Sequence, residues 1–226
     1  MTDPADANDK VNADDSMSVS NRRLVVLGLF PQVLVAVAFA EAIPSLRDEL
    51  LHNHGTYATW ALFIIFATTA VRFAVGNHAH LADDSLFRDG ARSAWLYDLV
   101  WVVIESILLI ILGGQVGDGS LVSSLGHSRV PQDSFVVFLG ILLLTDIFWI
   151  CSVWILGTLN QQWHRDRWPW PWVVLNLIVL GVVAALWHPL VTKGNYSGYY
   201  LNVLLVVSIV IFVLDLFLVD WAHIKQ

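Results

Sequence analysis

The sequence predicts an all-α integral membrane protein with six transmembrane helices and both termini in the cytoplasm. Hydrophobic residues make up 57% of the 226 residues and charged residues only 14%. Both fractions lie far from the averages of soluble domains. The apolar residues also come in long blocks without the alternation of a membrane barrel, so the backbone of each block is expected to be helical. The distribution of Lys and Arg supplies the orientation.

Six apolar blocks are each long enough to cross a hydrocarbon core of about 30 Å. They cover residues 24–43, 56–75, 94–112, 134–157, 170–188 and 198–220. We therefore predict one transmembrane domain over 24–220, an acidic cytoplasmic tail over 1–23 and a short cytoplasmic tail over 221–226. The composition of the first tail predicts disorder.

The basic residues fall unequally on the two sides of these blocks. Nine basic residues lie on the side of the two termini and three on the other side. Under the positive-inside rule, this difference places both termini in the cytoplasm. The nine are Lys10, Arg22, Arg23, Arg72, Arg88, Arg92, Arg165, Arg167 and Lys225, and the three are Arg47, Arg129 and Lys193. The single cysteine, Cys151, excludes an intrachain disulfide and a thiolate metal cluster.

The first two blocks each allow two interpretations. The first can be a membrane helix or a signal peptide cleaved before Glu41, and its length favours the helix. Glu41 then lies at the outer end, either solvated or at the mouth of a pore. In the second block, Arg72 lies about one turn inside the cytoplasmic boundary. It can extend to the cytoplasm or pair with an acid on a neighbouring helix.

The third and fourth blocks carry carboxylates inside apolar sequence. Asp98 and Glu105 are seven residues apart, hence on one helical face. Asp146 lies near the middle of the fourth block. A charge at this depth costs about 3 kcal/mol or more, so these groups should face protein or water. The shared Asp-x-x-Trp spacing predicts that Trp101 and Trp149 each donate to the acid one turn earlier.

Counting depth along each block separates two polar layers. At about 1.5 Å per residue, Glu105 and Asp146 lie near the midplane. Four residues lie roughly 6 to 10 Å nearer the cytoplasm: Arg72, Asp98, Asn176 and Asp215. We predict an ion or proton pathway of Asp98, Glu105, Asp146 and Asp215, supported by Arg72, Asn176, Trp101 and Trp149. A buried pair of Arg72 with Asp98 or Asp215 can also be purely structural.

Histidines and aromatics near the inner face allow further interpretations. The segment 160–172 packs tryptophans among basic residues, which is typical of an interfacial belt contacting lipid head groups. A metal-dependent hydrolase assembled from His78, His80 and His164 is a weaker hypothesis, because these residues lack a recognised ligand spacing. We expect no cofactor and no nucleic-acid partner.

Two segments resemble the six-helix, potassium-selective channel family of prokaryotic membranes and lysosomes. The spacing from Arg22 to Glu41, followed by Pro44, is similar to that family's first helix. The sequence Phe-Ala-Val-Gly-Asn-His at 73–78 resembles the end of its second helix. The resemblance implies an oligomeric channel with a central pore. The family's Phe-Ser-Asp signature is replaced by Val-Leu-Gly at 26–28, so the resemblance carries over neither the filter nor potassium selectivity.

The sequence thus predicts a multi-pass protein of the cell membrane with a polar interior lined by carboxylates. The leading hypothesis is a small homo-oligomeric ion channel or a proton-coupled carrier acting on a monovalent cation or proton. The rival is a non-catalytic anchor or sensor module that acts through a partner, in which the buried acids only pack helices. The hydrolase is the third hypothesis.

Overall fold

The computed structural model describes residues 29–48, 51, 57–81, 92–116, 131–159, 170–188 and 199–224. These residues form six helices, and no strand occurs among them. The helices are α1 (Leu29–Asp48), α2 (Tyr57–Leu81), α3 (Arg92–Gly114), α4 (Pro131–Leu159), α5 (Trp170–Trp187) and α6 (Tyr199–Ile224). The all-α prediction is confirmed over this part of the chain.

Five of the described helices, α1 to α4 and α6, are long and apolar enough to span a membrane. The remaining helix, α5, is apolar but has 18 residues. At 1.5 Å per residue its length is about 27 Å, slightly less than a typical hydrocarbon core. Five membrane-competent helices are typical of a membrane protein.

Five helices form a closed ring in which each one makes its most extensive contacts with two neighbours. The order around the ring is α2, α3, α4, α5 and α6, and α6 returns to α2. Pairs such as Gly140 with Val183, and Trp149 with Asp98, show that sequential helices run antiparallel. The bonds that Tyr57 makes to Asn202 and Arg72 to Asp215 show that α2 and α6 are parallel.

The two ends of the ring differ, and we name each by one residue. The Tyr57 end is where α2, α4 and α6 begin and α3 and α5 end. The Trp172 end is the opposite one, where α5 begins. Each name is kept below.

Helix α1 lies outside the ring against α2 and α3. Only 22% of its apolar window is buried, compared with 50% for α2. Phe39 packs edge-on against Phe66 of α2, with ring centroids 5.2 Å apart. A Cβ at Gly113 of α3 would lie 2.6 Å from the carbonyl oxygen of Ala38. Glycine at this position therefore allows α1 to approach α3 backbone to backbone.

The distribution of polarity is reversed relative to a soluble protein. Large apolar side chains are exposed on the outer faces of the helices, for example Ile107, Leu144 and Phe148 at 52%, 54% and 60%. Charged side chains are instead buried, including Arg72 and Asp146. An apolar outer surface over a polar interior is the arrangement that a lipid solvent favours.

Candidate functional site: a buried polar network

Arg72 joins three helices at one point inside the ring. Its side chain is buried and its Nε donates to Asp215 of α6, which forms an ion pair. Its Nη2 donates to Oδ1 of Asn176 on α5, at 2.8 Å. Of the alternatives predicted for Arg72, pairing with Asp215 on a neighbouring helix is the one observed, and extension to the cytoplasm is wrong.

The contacts continue from Asn176 to two further carboxylates. Asn176 Nδ2 donates to Oδ2 of Asp146 on α4. The carboxyl group of Asp146 is in turn within hydrogen-bonding range of Glu105 on α3. Asn77 of α2 donates to Glu105 Oε2 at 3.1 Å. One connected set, which we call the central network, thus contains Arg72, Asn77, Glu105, Asp146, Asn176 and Asp215.

The structure connects residues of the two predicted polar layers. Asn176 bridges them, because its amide oxygen accepts from Arg72 while its nitrogen donates to Asp146. The prediction also put Asn77 at the inner end of the second helix. In the structure α2 continues to Leu81, and Asn77 is 5% exposed and faces mid-helix Glu105. Asn77 is therefore a network residue that the sequence reasoning missed.

Asp98 has an indole partner that differs from the predicted one. Trp149 of α4 donates to Asp98 Oδ1 at 3.0 Å, across the interface between α3 and α4. Trp101 packs instead against the ring of Phe148, with centroids 5.5 Å apart. The predicted donation from Trp101 to Asp98 and from Trp149 to Asp146 is wrong. Residues three apart share a helix face, so both can point at a neighbouring helix rather than at each other.

The central network has more acid than base. Three carboxylates face one guanidinium, so the fully ionised network would carry two excess negative charges. Glu105 and Asp146 are completely or almost completely buried, at 0% and 5% exposed. Two adjacent carboxylates in a medium of low dielectric repel strongly, and one proton shared between them relieves that repulsion. The pair is therefore chemically suited to hold and release a proton.

Two carboxylate oxygens of the network lack a donor among the described residues. They are Glu105 Oε1 and Asp215 Oδ1. A buried acceptor without a partner is destabilising by about 1–3 kcal/mol or more when charged. A proton, a water or a cation would satisfy these atoms.

A small cavity adjoins the network on the side of the Trp172 end. Its volume is about 10 Å³, which is about the space that one water requires. Five network side chains line it, together with Phe73, Gly76 and Trp172; the five are those of Arg72, Asn77, Asp146, Asn176 and Asp215. A Cβ at Gly76 would lie 1.8 Å from Cη2 of Trp172, so the indole rests directly on the glycine backbone.

The sequence reasoning missed Gly76 and assigned Trp172 to the lipid interface. A glycine inside an apolar helix is a signal of close packing, and it was the available clue.

Apolar side chains fill the ring between the network and the Tyr57 end. The largest of them are at most 2% exposed and come from α2, α3 and α4. They include Leu62, Phe66, Leu109, Leu112, Phe135, Leu139 and Leu142, all in one core cluster. An apolar layer therefore separates the network from the Tyr57 end of the ring.

The three histidines predicted as metal ligands cannot be compared with the structure. His164 lies outside the described residues, and so do the side chains of His78 and His80. Among the described residues, no group of three or more His, Cys, Asp or Glu side chains is placed to hold a metal ion.

No protein-family model matches the chain, and searches of curated proteins and of solved structures likewise find no match.

Proposed function

We propose that this chain is a multi-pass carrier of the cell membrane that couples transport to the movement of a proton, and that Glu105 and Asp146 form its proton site. The observation that carries this proposal is the contact between these two carboxyl groups inside a ring of apolar helices. Buried ionisable groups within membrane helices are expensive to maintain and typically serve ion or proton movement.

The hydrogen bonds around the pair support a switchable proton. Asn77 donates to Glu105 and Asn176 donates to Asp146, so each carboxylate keeps one neutral donor when the shared proton leaves. Arg72 is engaged with Asp215 and does not form a salt bridge with either member of the pair. The pair is thus solvated by amides without being permanently neutralised by a cation.

The unequal ends of the ring favour a carrier over an open channel. The cavity lies on the Trp172 side of the network, and its volume is about that of one water. The apolar cluster separates the network from the Tyr57 end. A site that communicates with one side at a time is what alternating access requires. The network also lies within one subunit, so the proposal needs no second copy. Homo-oligomerisation and the resemblance to potassium channels stay predictions.

Six membrane crossings and cytoplasmic termini belong to this proposal. Helix α5 runs antiparallel to both α4 and α2, as a crossing helix between them would. The positive-inside count loses Arg72, because that residue is buried in the network. Eight basic residues against three still favour the same orientation. The Trp172 end then faces the cytoplasm.

Flux measurements in reconstituted vesicles test the proposal. Vesicles that enclose a pH-sensitive dye receive a fixed pH gradient, and alkali-metal salts, ammonium and neutral solutes are then added in turn. We expect one class of solute to discharge the gradient faster than in protein-free vesicles. Glu105→Gln and Asp146→Asn each replace one of the two carboxyl groups by an amide that cannot exchange a proton, and each should slow this discharge about tenfold or more.

Glu41→Gln is the matched control, since it neutralises an exposed carboxylate on α1 and should leave the flux unchanged. Size-exclusion profiles show whether each variant is folded. The carrier proposal is wrong if no solute and no imposed membrane potential discharges the pH gradient, or if both network variants transport normally. Either result would favour the hypothesis of an anchor or sensor module.

A further inference from the structure

The donors of the central network are committed, while acceptors are left over. Arg72 donates to Asp215 and Asn176, Asn176 donates to Asp146, and Asn77 donates to Glu105. The atoms that remain without a partner among the described residues are oxygens of two carboxylates, Glu105 and Asp215. Both residues are more than nine-tenths buried, and Asp215 lines the cavity. Asp215 Oδ1 is therefore an acceptor for a water or a cation beside this cavity, which Arg72 also lines.

The size of the cavity limits what that occupant is. A volume of about 10 Å³ admits one particle of about the size of water. Organic ammonium ions are too large for this space. A magnesium ion usually keeps several of its waters, and calcium takes six to eight oxygen ligands, which two carboxylates and two amides do not supply. A single desolvated monovalent ion fits both the space and the oxygen donors.

The charge of the network gives the same answer. With one proton on Glu105 and Asp146, the network carries one excess negative charge. If that proton leaves and one monovalent cation enters, the net charge is unchanged. A one-for-one exchange thus avoids the cost of adding charge inside the membrane.

We propose that the cavity beside Asp146 and Asp215 binds one desolvated alkali-metal cation. This inference deepens the proposed function, on which it rests, because it names the class of ion that the carrier would transport. The ligands are oxygens of Asp146 and Asp215, and the polar part of the wall also includes the side chains of Arg72, Asn77 and Asn176.

Charged and polar groups face Asp146 from every neighbouring helix of the ring. Arg72 of α2 disfavours a second cation, while Glu105 of α3 and Asp215 of α6 favour one. Asn176 of α5 is neutral. Because Arg72 is already paired with Asp215, the two remaining carboxylates decide the sign of the site.

The test is thermal unfolding of the purified full-length protein in detergent, with sodium chloride replaced by choline chloride at constant ionic strength. An ion that binds only the folded state raises the melting temperature as its concentration increases. We expect sodium or another alkali-metal ion to raise it and choline not to. Lowering the pH by one unit should weaken the apparent affinity by up to about tenfold, because one proton competes.

Variants and a second measurement complete the experiment. Asp146→Asn should abolish the sodium-dependent shift, while Glu41→Gln should retain it. Binding of radioactive sodium to the wild-type protein gives an answer even if Asp146→Asn does not fold. Equal melting temperatures in all alkali chlorides and choline chloride, with no bound sodium, would overturn the inference.

The two proposals can fail separately. Proton flux without cation-specific stabilisation would remove the cation site and leave the proton site. Cation-specific stabilisation without any proton flux would leave a binding site and remove the carrier.

Discussion

Asn176 shows how one amide side chain fixes the chemistry of its neighbours. Because its oxygen accepts from Arg72, its nitrogen must point to Asp146. Asp146 thereby receives a neutral donor rather than the guanidinium. The single positive charge of the network, on Arg72, forms its ion pair with Asp215. The carboxyl groups of Glu105 and Asp146 therefore have no cationic partner among the described residues and are available to bind a proton.

The hydrogen bond from the Trp149 indole N–H to Asp98 gives a prediction about stability. Trp149→Phe keeps a large aromatic ring but removes the indole N–H that donates to Asp98. Hydrogen bonds to charged groups contribute about 1.5–3 kcal/mol, so the variant should lose about that much stability. Chemical unfolding in detergent micelles measures the loss.

Trp101→Phe is the matched control, since Trp101 packs against Tyr97 and Phe148. Its cost should be clearly smaller than that of Trp149→Phe. Equal costs for the two variants would show that ring volume, and not the bond to Asp98, decides the stability.

The residues that meet in the network were partly predictable from the sequence. Carboxylates in apolar helices must find partners away from lipid, which was sufficient to predict that Arg72 pairs with either Asp98 or Asp215 and to select Glu105 and Asp146. The choice between Asp98 and Asp215, and the donor for Asp98, depends on how each helix is rotated about its axis. Rotation is set by side-chain packing, which spacing along one helix does not contain.

Among the helices, α2 contributes most to the site, because Arg72, Gly76 and Asn77 lie within its last turns. Arg72 and Gly76 are four residues apart, so they lie on one face, which is directed at α5. The second apolar block of the sequence was predicted to end at residue 75, because polar residues follow it. The helix nevertheless continues to Leu81, because Asn77 finds a buried acceptor in Glu105. Tertiary contact extends the helix beyond its apolar sequence.

The contact between α2 and α5 predicts a strong dependence on glycine at position 76. Gly76→Ala adds a methyl group that would lie 1.8 Å from the ring of Trp172, so the helices must separate or the ring must move. Overpacking of this kind costs about 1–3 kcal/mol. In a Trp172→Ala background the same substitution should cost almost nothing. A double-mutant cycle of unfolding free energies measures this difference.

Gly181→Ala on α5 provides the control for the intrinsic effect of replacing a helical glycine. A Cβ at Gly181 meets no atom within 4 Å. This variant should be neutral or more stable by up to about 1 kcal/mol, because alanine favours the helix. If Gly76→Ala behaves like Gly181→Ala, the close contact of Trp172 with α2 does not exist in the membrane.

At the scale of the whole molecule, the ring is closed by the parallel pair α2 and α6. Three helices lie between them along the chain and alternate in direction, so α6 returns to α2 with the same polarity. The sequence predicted six apolar helices, which is the part that composition can determine. It did not predict which helix stays outside. The exclusion of α1 follows from packing, since a ring of five already buries the charged side chains.

The alternation of direction makes α5 decisive for topology, because five crossings would put the termini on opposite sides and six would put them on the same side. Single cysteines introduced into a Cys151→Ser background report the sidedness of each segment. We expect Asn8→Cys and Gln162→Cys to react with an impermeant thiol reagent only from the cytoplasmic side, and Lys193→Cys only from the opposite side. Cells and inverted vesicles provide the two directions of labelling. Reaction of Gln162→Cys and Lys193→Cys from the same side would mean that α5 does not cross, and the proposed cytoplasmic orientation of the Trp172 end would lose its basis.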